Sequence, residues 1–156
     1  MYTEKVLEHF KNPHNYGRIE NADGVGRVGN LLCGDIMILY IKVKKNKTGK
    51  EIIDDVKFET FGCAAAISTS SITTDLVKGK TLEDAMKIDN KAIVKSLGGL
   101  PPIKIHCSIL ASDALKEAIY DYYKKMGRHI SEGLERVHQR IQRDLEKVKH
   151  MHEELG

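Results

Sequence analysis

Tryptophan is absent from this 156-residue sequence, and aromatic residues make up only 6% of it. Nucleic-acid binding is therefore not expected, because it relies on aromatic stacking and a clustered basic face, whereas the formal net charge is only +3. No apolar run approaches the roughly 20 residues that span a bilayer. The opening residues also lack the apolar segment of a secretory signal. The sequence predicts a cytoplasmic protein without membrane contact.

Cysteine is scarce as well, at three residues, and the number is odd. Thiols in the cytosol are mostly reduced, so a disulfide framework is not expected. Reduced cysteines are either small buried apolar residues or groups that do chemistry. Because the three lie far apart in the sequence, their neighbours have to separate these alternatives.

The order of the predicted elements indicates an α+β fold. The clearest strand runs from Asp35 to Lys44, where apolar residues alternate with others. A turn at 46–49 leads into a second strand from Ile52 to Phe61, and the glycine-rich segment 24–30 is interpreted as an irregular first strand. Helical patterns follow. Strands first and helices afterwards indicate a small antiparallel three-stranded sheet packed against helices.

Helical spacing of apolar residues predicts the helices that follow or precede the sheet. They cover residues 4–10, 64–77, 91–97 and 105–126, with a capped helix start at 81–84. Pro101 and Pro102 predict an extended segment before the long helix. In the tail, apolar residues from Ile130 to Leu155 recur every three or four positions, as in an amphipathic helix. We expect a main domain at 1–126 and a C-terminal helical extension at 127–156.

The first two cysteines lie at the ends of predicted elements. Cys33 precedes the clearest strand in a turn with Gly34, and Asp35 follows two residues later. The thiol and the carboxylate could therefore point to one place, with glycine allowing close approach of a ligand. Cys63 lies where a strand ends and a helix begins, and the unpaired N–H groups of a helix start favour a thiolate.

Cys107 lies in the first turn of the long predicted helix. His106 beside it is another side chain able to bind metal, and Lys104 adds positive charge that favours a thiolate. Three thiolates with Asp35 or His106 supply four ligands for zinc or for an iron–sulfur cluster. A carboxylate or imidazole in the fourth place exchanges more readily, which suits transient holding. From placement alone, three unrelated structural thiols stay open as the alternative.

Four motifs occur in order along the chain. They are Tyr-Thr-Glu-Lys-Val-Leu-Glu-His-Phe-Lys-Asn-Pro-His-Asn-Tyr-Gly at 2–17, Cys-Gly-Asp at 33–35, Phe-Gly-Cys-Ala at 61–64 and Leu-Pro-Pro-Ile-Lys-Ile-His-Cys-Ser at 100–108. Together they resemble the IscU/NifU-type family of iron–sulfur cluster assembly scaffolds. The resemblance extends from the N-terminus to about Met126.

The resemblance implies a scaffold and carrier rather than an enzyme with turnover of its own. The family accepts persulfide sulfur from a cysteine desulfurase, takes iron, assembles a 2Fe–2S cluster and passes it to recipient apo-proteins. A ferredoxin-like donor supplies electrons, and the same thiolates can hold zinc in the apo form. The implied cluster ligands are Cys33, Cys63 and Cys107. Asp35 is implied as the carboxylate that keeps the cluster labile, and His106 as a candidate fourth ligand.

Two further roles follow from matching positions. Cys107 is our choice for the persulfide acceptor, since its helix-start position beside Lys104 and His106 favours a nucleophilic thiolate, and Cys33 is the alternative acceptor. The Leu-Pro-Pro-Ile-Lys segment matches the site that a dedicated Hsp70-type chaperone binds in the family. Its residues are Leu100, Pro101, Pro102, Ile103 and Lys104.

The tail beyond Gly127 departs from the short scaffolds. It could pack on the domain, mediate a homodimer or be the remnant of a longer architecture, and its histidines are expected at the surface because no cysteine accompanies them.

The alternative function is a zinc-dependent sulfur-transfer protein that accepts persulfide sulfur from a cysteine desulfurase. That branch resembles this chain but typically lacks a histidine before the last cysteine and carries an insertion in the middle. His106 is present and there is no obvious insertion between Cys63 and Cys107, so the resemblance favours the scaffold. A Cys–His hydrolase is disfavoured, because adjacent helical residues point about 100 degrees apart.

Overall fold

The computed structural model describes residues 1–32 and 34–155, apart from the side chain of Leu155. The helices are α1 Glu4–Lys11, α2 Ala64–Val77, α3 Leu82–Met86, α4 Asn90–Ser96, α5 Ile105–Lys125 and α6 Glu132–Leu155, with a short 3-10 helix at Pro102–Lys104. The strands are β1 Gly24–Gly29, β2 Ile36–Lys45 and β3 Glu51–Thr60. None of the helices in this described part combines the length and apolar character that a membrane span needs.

The strands form one antiparallel sheet in the order β1-β2-β3, which confirms the predicted α+β fold. The turn between β2 and β3 is held by the side chain of Asn46, whose Oδ1 accepts hydrogen bonds from the backbone N–H groups of Thr48 and Lys50, both at 3.0 Å. Gly49 adopts a φ of 82° there, a conformation that glycine reaches without a steric penalty.

Strand β1 is regular, so its interpretation as an irregular strand was wrong. It pairs with β2 without interruption from Gly24, opposite Ile41, to Gly29, opposite Ile36. Its glycines make room for α5. A Cβ atom at Gly26 would lie 2.2 Å from the carbonyl oxygen of Ala114. The helix backbone therefore rests directly on the strand, which a larger side chain would prevent.

The core lies between the sheet and the helices. Met37, Leu39 and Ile41 of β2 are at most 1% exposed, as their predicted shared face requires. Leu115 and Ala118 of α5 are fully buried against the same cluster. Burial of this apolar surface is the main stabilising contribution to the sheet-on-helix arrangement.

Helix α2 is buried over much of its polar surface, which apolar periodicity did not reveal. Ser68, Ser70 and Thr73 are each 0% exposed. Their hydroxyls donate to carbonyls, from Ser70 to Ala66 at 2.8 Å and from Ser68 to Val6 at 2.7 Å. Because these buried polar groups are hydrogen-bonded, a serine- and threonine-rich helix can occupy the interior.

The Pro-Pro segment is only partly extended, which corrects the prediction. Pro101 has extended dihedrals, φ −55° and ψ 140°, but Pro102 starts the 3-10 helix that runs into α5. Proline suits this place because its fixed φ matches the first turn of a helix and its missing N–H is not needed there.

Helix α6 packs back on the domain, along α5 and β1. Ile141 and Val148 are at most 2% exposed. Arg140 donates two hydrogen bonds to the carboxylate of Asp113 on α5, at 2.9 and 3.0 Å. The ring of His138 stacks on Tyr120, with centroids 3.7 Å apart. Of the arrangements considered for the tail, the described residues adopt the packed one.

Replacing Glu51 by Gln should reduce the acid sensitivity of the fold. The Arg128 guanidinium, bonded to Glu51, lowers the pKa of that carboxyl below its usual 4.5, and the Tyr122 hydroxyl acts in the same direction. Because the folded-state pKa is depressed, this stabilisation is present above about pH 4.5 and is lost as the pH falls through the folded pKa. We expect the free energy of unfolding, measured by urea titration between about pH 3 and 6, to fall less steeply in Glu51→Gln.

The matched control for this prediction is Glu132→Gln, because the Glu132 side chain is 94% exposed. It should keep the slope of the unmodified chain. Equal slopes in the unmodified chain and in Glu51→Gln would contradict the assignment.

Candidate metal centre

Two of the predicted cysteines meet where helices α2 and α5 begin. Cys63 is the N-cap residue of α2, three residues after the end of β3, and Cys107 lies in the first turn of α5. Both belong to one small apolar cluster with Ala65 and Ala66, against which Tyr2 also packs. Two helix N-termini therefore point their partial positive charge towards the two thiols.

The two thiols differ in exposure. Cys107 is 1% exposed, whereas Cys63 is partly exposed. The Cys63 side chain makes no cap hydrogen bond to its helix, and the Nζ of Lys104 lies 3.7 Å from its sulfur. The charge of Cys63 is the largest influence that raises the pKa of Lys104. The sequence predicted Lys104 as a positive charge near Cys107; its Nζ contacts Cys63, and the charge of Cys107 also raises the Lys104 pKa, by less than that of Cys63.

Asp35 lies beside the residue that precedes Cys63. A Cβ atom at Gly62 would be 2.7 Å from Oδ2 of Asp35, so the carboxylate closely covers this glycine. The N–H of Asn30 donates to the Asp35 carbonyl at 2.8 Å, and the N–H of Gly34 donates to the Asn30 carbonyl at 2.7 Å. The predicted ligand Cys33 lies outside the described residues.

His106 faces a different side of α5 from Cys107. It borders a small cavity of about 180 Å³ together with Asn30, Leu31 and Arg140. Its Nε2 is buried and has no hydrogen-bond partner among the described residues. A buried imidazole nitrogen without a partner is unfavourable, so its presence calls for a ligand or a functional reason.

The chemistry of these donors suits a soft metal or an iron–sulfur cluster. Thiolates bind iron and zinc strongly, and carboxylate or imidazole can complete the set. Within the described part of the chain, however, Asp35, Cys63, His106 and Cys107 do not supply three donor atoms that lie within 4.8 Å of one another. Among the described residues, these donors therefore do not form a chelating triad for a single metal ion.

Exposed apolar residues flank the predicted cysteine ligands in the sequence. Leu32 is 80% exposed, Phe61 90% and Ile103 79%. Each lies within four residues of a predicted cysteine ligand in the sequence. Large apolar side chains with this exposure are typical of a surface that another protein covers.

One contact at the site could not be found from sequence patterns. The Nε2 of His152 on α6 lies 2.7 Å from the carbonyl oxygen of Gly34, across 118 positions of sequence. The tail histidines were expected at the surface, and His152 is indeed exposed, but it also contacts the loop that carries Asp35. Periodicity predicts a helical face, but it does not predict what that face meets.

Residues 1–129 match the NifU-like N terminal domain family. Iron–sulfur cluster assembly scaffold protein IscU 1 of Archaeoglobus fulgidus is 59% identical over 128 residues, which are 82% of this chain and 80% of that protein. The IscU scaffold protein of Aquifex aeolicus is 50% identical over 127 residues, 81% of this chain and 79% of its own. The IscU scaffold protein of Azotobacter vinelandii is 50% identical over 129 residues, which are 81% of this chain and 97% of that protein.

Solved structures share the fold. A candidate iron–sulfur cluster assembly scaffold protein of the SUF system from Fervidobacterium islandicum AW-1 superposes with a TM-score of 0.58 at 27% identity, covering 76% of this chain and 96% of that one. The N-terminal part of a nitrogen-fixing NifU-like protein from Brucella abortus superposes with a TM-score of 0.58 and covers 79% of this chain and 94% of that one. At 22% identity, this likeness shows the fold alone. Since the family match covers most of the chain and the relatives are at least half identical, the chain belongs to the NifU-like N terminal domain family.

Proposed function

We propose that this protein is a scaffold on which a 2Fe–2S cluster is assembled from iron and desulfurase-derived sulfur, and from which the cluster passes to recipient apo-proteins. The main support is the meeting of Cys63 and Cys107 at two helix N-termini, with Asp35 beside them. Relatives with about half of their residues identical are named iron–sulfur cluster assembly scaffold proteins, which supports the same function.

In the proposed sulfur step, the Cys107 thiolate attacks the terminal sulfur of a persulfide on the desulfurase. A sulfur–sulfur bond to Cys107 forms, and the desulfurase thiolate leaves. Two electrons from a ferredoxin-like donor then reduce the new persulfide, which releases sulfide to iron and restores the thiolate. Cys33 is the alternative acceptor. Because Cys107 is 1% exposed, transfer requires the cover that includes Tyr2 to be displaced.

The proposed ligands are Cys33, Cys63 and Cys107, with His106 as the candidate fourth. The unpartnered Nε2 of His106 supports that candidate, although a bound cluster would have to bring this ring towards Cys107. Imidazole is a harder ligand than thiolate and exchanges more readily on a cluster. The protein would therefore hold its cluster only until a recipient takes it, as a carrier without turnover.

Replacing Asp35 by Ala should slow release of the cluster. The carboxylate lies at the approach to Cys63, where it can attract iron, compete with a sulfur ligand or admit water. We expect transfer from Asp35→Ala to an apo-ferredoxin, followed by absorbance and ferredoxin activity, to slow by about tenfold or more. Asp54→Ala is a control, because that carboxylate is exposed on β3 and pairs with Lys44 at a distance of 2.8 Å. Unchanged transfer in Asp35→Ala would contradict this role.

The exposed apolar residues suit docking of the desulfurase and later partners. The proposed chaperone-binding segment is Leu100, Pro101, Pro102, Ile103 and Lys104. Ile103 is 79% exposed on the 3-10 helix, so an Hsp70-type chaperone could reach it without unfolding the domain. A segment stiffened by proline loses little conformational entropy when a partner binds it. We place the protein in the cytoplasm, where such partners act.

Anaerobic reconstitution with iron, cysteine and a cysteine desulfurase tests the proposed function. The expected result is a visible spectrum of a cluster that disappears when an apo-ferredoxin is added and becomes active. Zinc that binds with one-to-one stoichiometry and is never displaced by iron and sulfide would overturn the proposal. A zinc-loaded preparation that does exchange would agree with it, because the same thiolates bind zinc well.

A further inference from the structure

A second set of metal-binding side chains lies away from the cysteines. It consists of His9 near the end of α1, His14 in the loop that follows, and Asp75 near the end of α2. Cys63 caps the opposite end of α2, twelve residues earlier, which corresponds to about 18 Å along a helix. The two regions are therefore distinct, although one helix connects them.

The donor atoms of these three residues are close together. One ligand atom from each lies within 4.8 Å of the other two, and in the described part of the chain no other group of three histidine, cysteine or acidic residues does so. The Nδ1 of His14 lies 2.6 Å from Oδ2 of Asp75, and the two imidazole rings have centroids 4.5 Å apart. Two imidazoles and one carboxylate are a ligand set that zinc and iron(II) use in proteins.

Neighbouring groups hold these side chains in place. The Nδ1 of His9 lies 2.7 Å from the hydroxyl of Ser71, which also accepts a hydrogen bond from the backbone N–H of His14 at 2.8 Å. When Nδ1 of His9 carries its hydrogen, Ser71 accepts both bonds and Nε2 keeps a free lone pair. Metal-bound histidines usually donate their second ring N–H to such a partner.

The carboxylate is held in a similar way. The side-chain amide of Asn15 donates to the hydroxyl of Thr74 at 2.9 Å and reaches Oδ1 of Asp75 at 3.5 Å. Asn15 has a φ of 60°, in the left-handed region that only some residues adopt without strain. The loop is thus fixed against α2 by several contacts, of which the His14–Asp75 pair is one.

A structural ion pair would explain His14 and Asp75 but not the third member. Their side chains are 43% and 36% exposed, and pairs so open to water contribute little stability. His9, by contrast, is 2% exposed and brings a second imidazole next to the first. A cation shared by the three would account for all of them.

We propose that His9, His14 and Asp75 form a site for one divalent transition-metal ion of the zinc and iron(II) class, separate from the cysteine site. Two ligands at about 2.0 Å from a tetrahedral ion are about 3.3 Å apart. Binding would therefore replace the shared proton of His14 and Asp75 and open that pair by less than about 1 Å. Both side chains are partly exposed and able to make this movement. A water molecule would complete the coordination.

Cobalt(II) titration of the full chain with Cys33, Cys63 and Cys107 all replaced by Ser tests the site. We expect one ion per chain, with visible bands of cobalt bound to nitrogen and oxygen and no thiolate charge-transfer band. His14→Asn and Asp75→Asn, introduced separately, should each weaken binding by about tenfold or more. His129→Asn is the matched control, since His129 is exposed in the loop before α6, and it should leave binding unchanged.

A second measurement needs no cysteine replacement. Zinc added to the unmodified chain should shift the ring resonances of His9 and His14 in NMR spectra, and the shifts should be lost in Asp75→Asn. The proposal is overturned if the serine-substituted chain binds no cobalt below millimolar concentration, or if His14→Asn has no more effect than His129→Asn. Unshifted His9 and His14 resonances in the presence of saturating zinc would overturn it equally.

Discussion

In the Cys107→Ser variant, both cluster formation and sulfur acceptance should be lost. The oxygen of serine is a poor ligand for iron in a cluster and does not form a persulfide. We expect the cluster yield in anaerobic reconstitution to fall by about tenfold or more. Mass spectrometry after incubation with the desulfurase and cysteine should show no added sulfur atom on the chain.

The Cys63→Ser variant separates the two roles. Cys63 is proposed as a ligand only, so this variant should also fail to hold a cluster but should still gain a sulfur atom from the desulfurase. Thermal unfolding of both variants checks that the fold is retained, a necessary control because Cys107 is 1% exposed. Sulfur transfer that persists in Cys107→Ser and disappears in Cys33→Ser would assign the acceptor role to Cys33 instead.

Replacing Gly26 by Ala should strongly destabilise the fold. The added Cβ would lie 2.2 Å from the carbonyl oxygen of Ala114 and 2.6 Å from the backbone nitrogen of Ala118, and neither atom can move without shifting α5. Overpacking against backbone is costly, and we expect a loss of about 3 kcal/mol in the free energy of unfolding, measured by urea titration.

Gly133→Ala provides the control for this prediction. Gly133 lies in α6, and an added Cβ there would meet nothing within 4 Å. Since alanine favours helix more than glycine does, this variant should be unchanged or more stable by up to about 1 kcal/mol. If Gly26→Ala were as stable as Gly133→Ala, the close approach of α5 to β1 would not be a constraint on the fold.

The close contact of α5 with β1 also explains why the sequence pattern of β1 was misinterpreted as irregular. The alternation in β2 and the helical period of α2 and α5 are local, and the structure confirms those elements to within a residue or two. The regularity of β1 depends instead on α5, which lies about 90 positions later. Glycines interrupt the alternation of side chains expected in a strand, yet in β1 a glycine such as Gly26 is required for the contact with α5.

The site shows a similar division. The spacing of Cys63 and Cys107 in the sequence did not predict that they would lie at one cluster, because this depends on how two helices pack. The expectation came from the resemblance of the motifs around them to the family. The serine and threonine side chains of α2 are not part of an apolar period, yet they lie in the interior because their hydroxyls bond to carbonyls such as that of Ala66. His152 reaches Gly34 only because α6 folds back along β1.

That return of α6 has a practical consequence for handling the protein. His152 contacts Gly34, and Tyr2 packs with the cysteines, so residues near both chain ends lie beside the proposed assembly site. Affinity tags or dyes fused at either end would crowd incoming partners. The turn around Thr48 is at the far end of β2, about 30 Å away along a ten-residue strand. An epitope inserted there would leave docking of the desulfurase unobstructed.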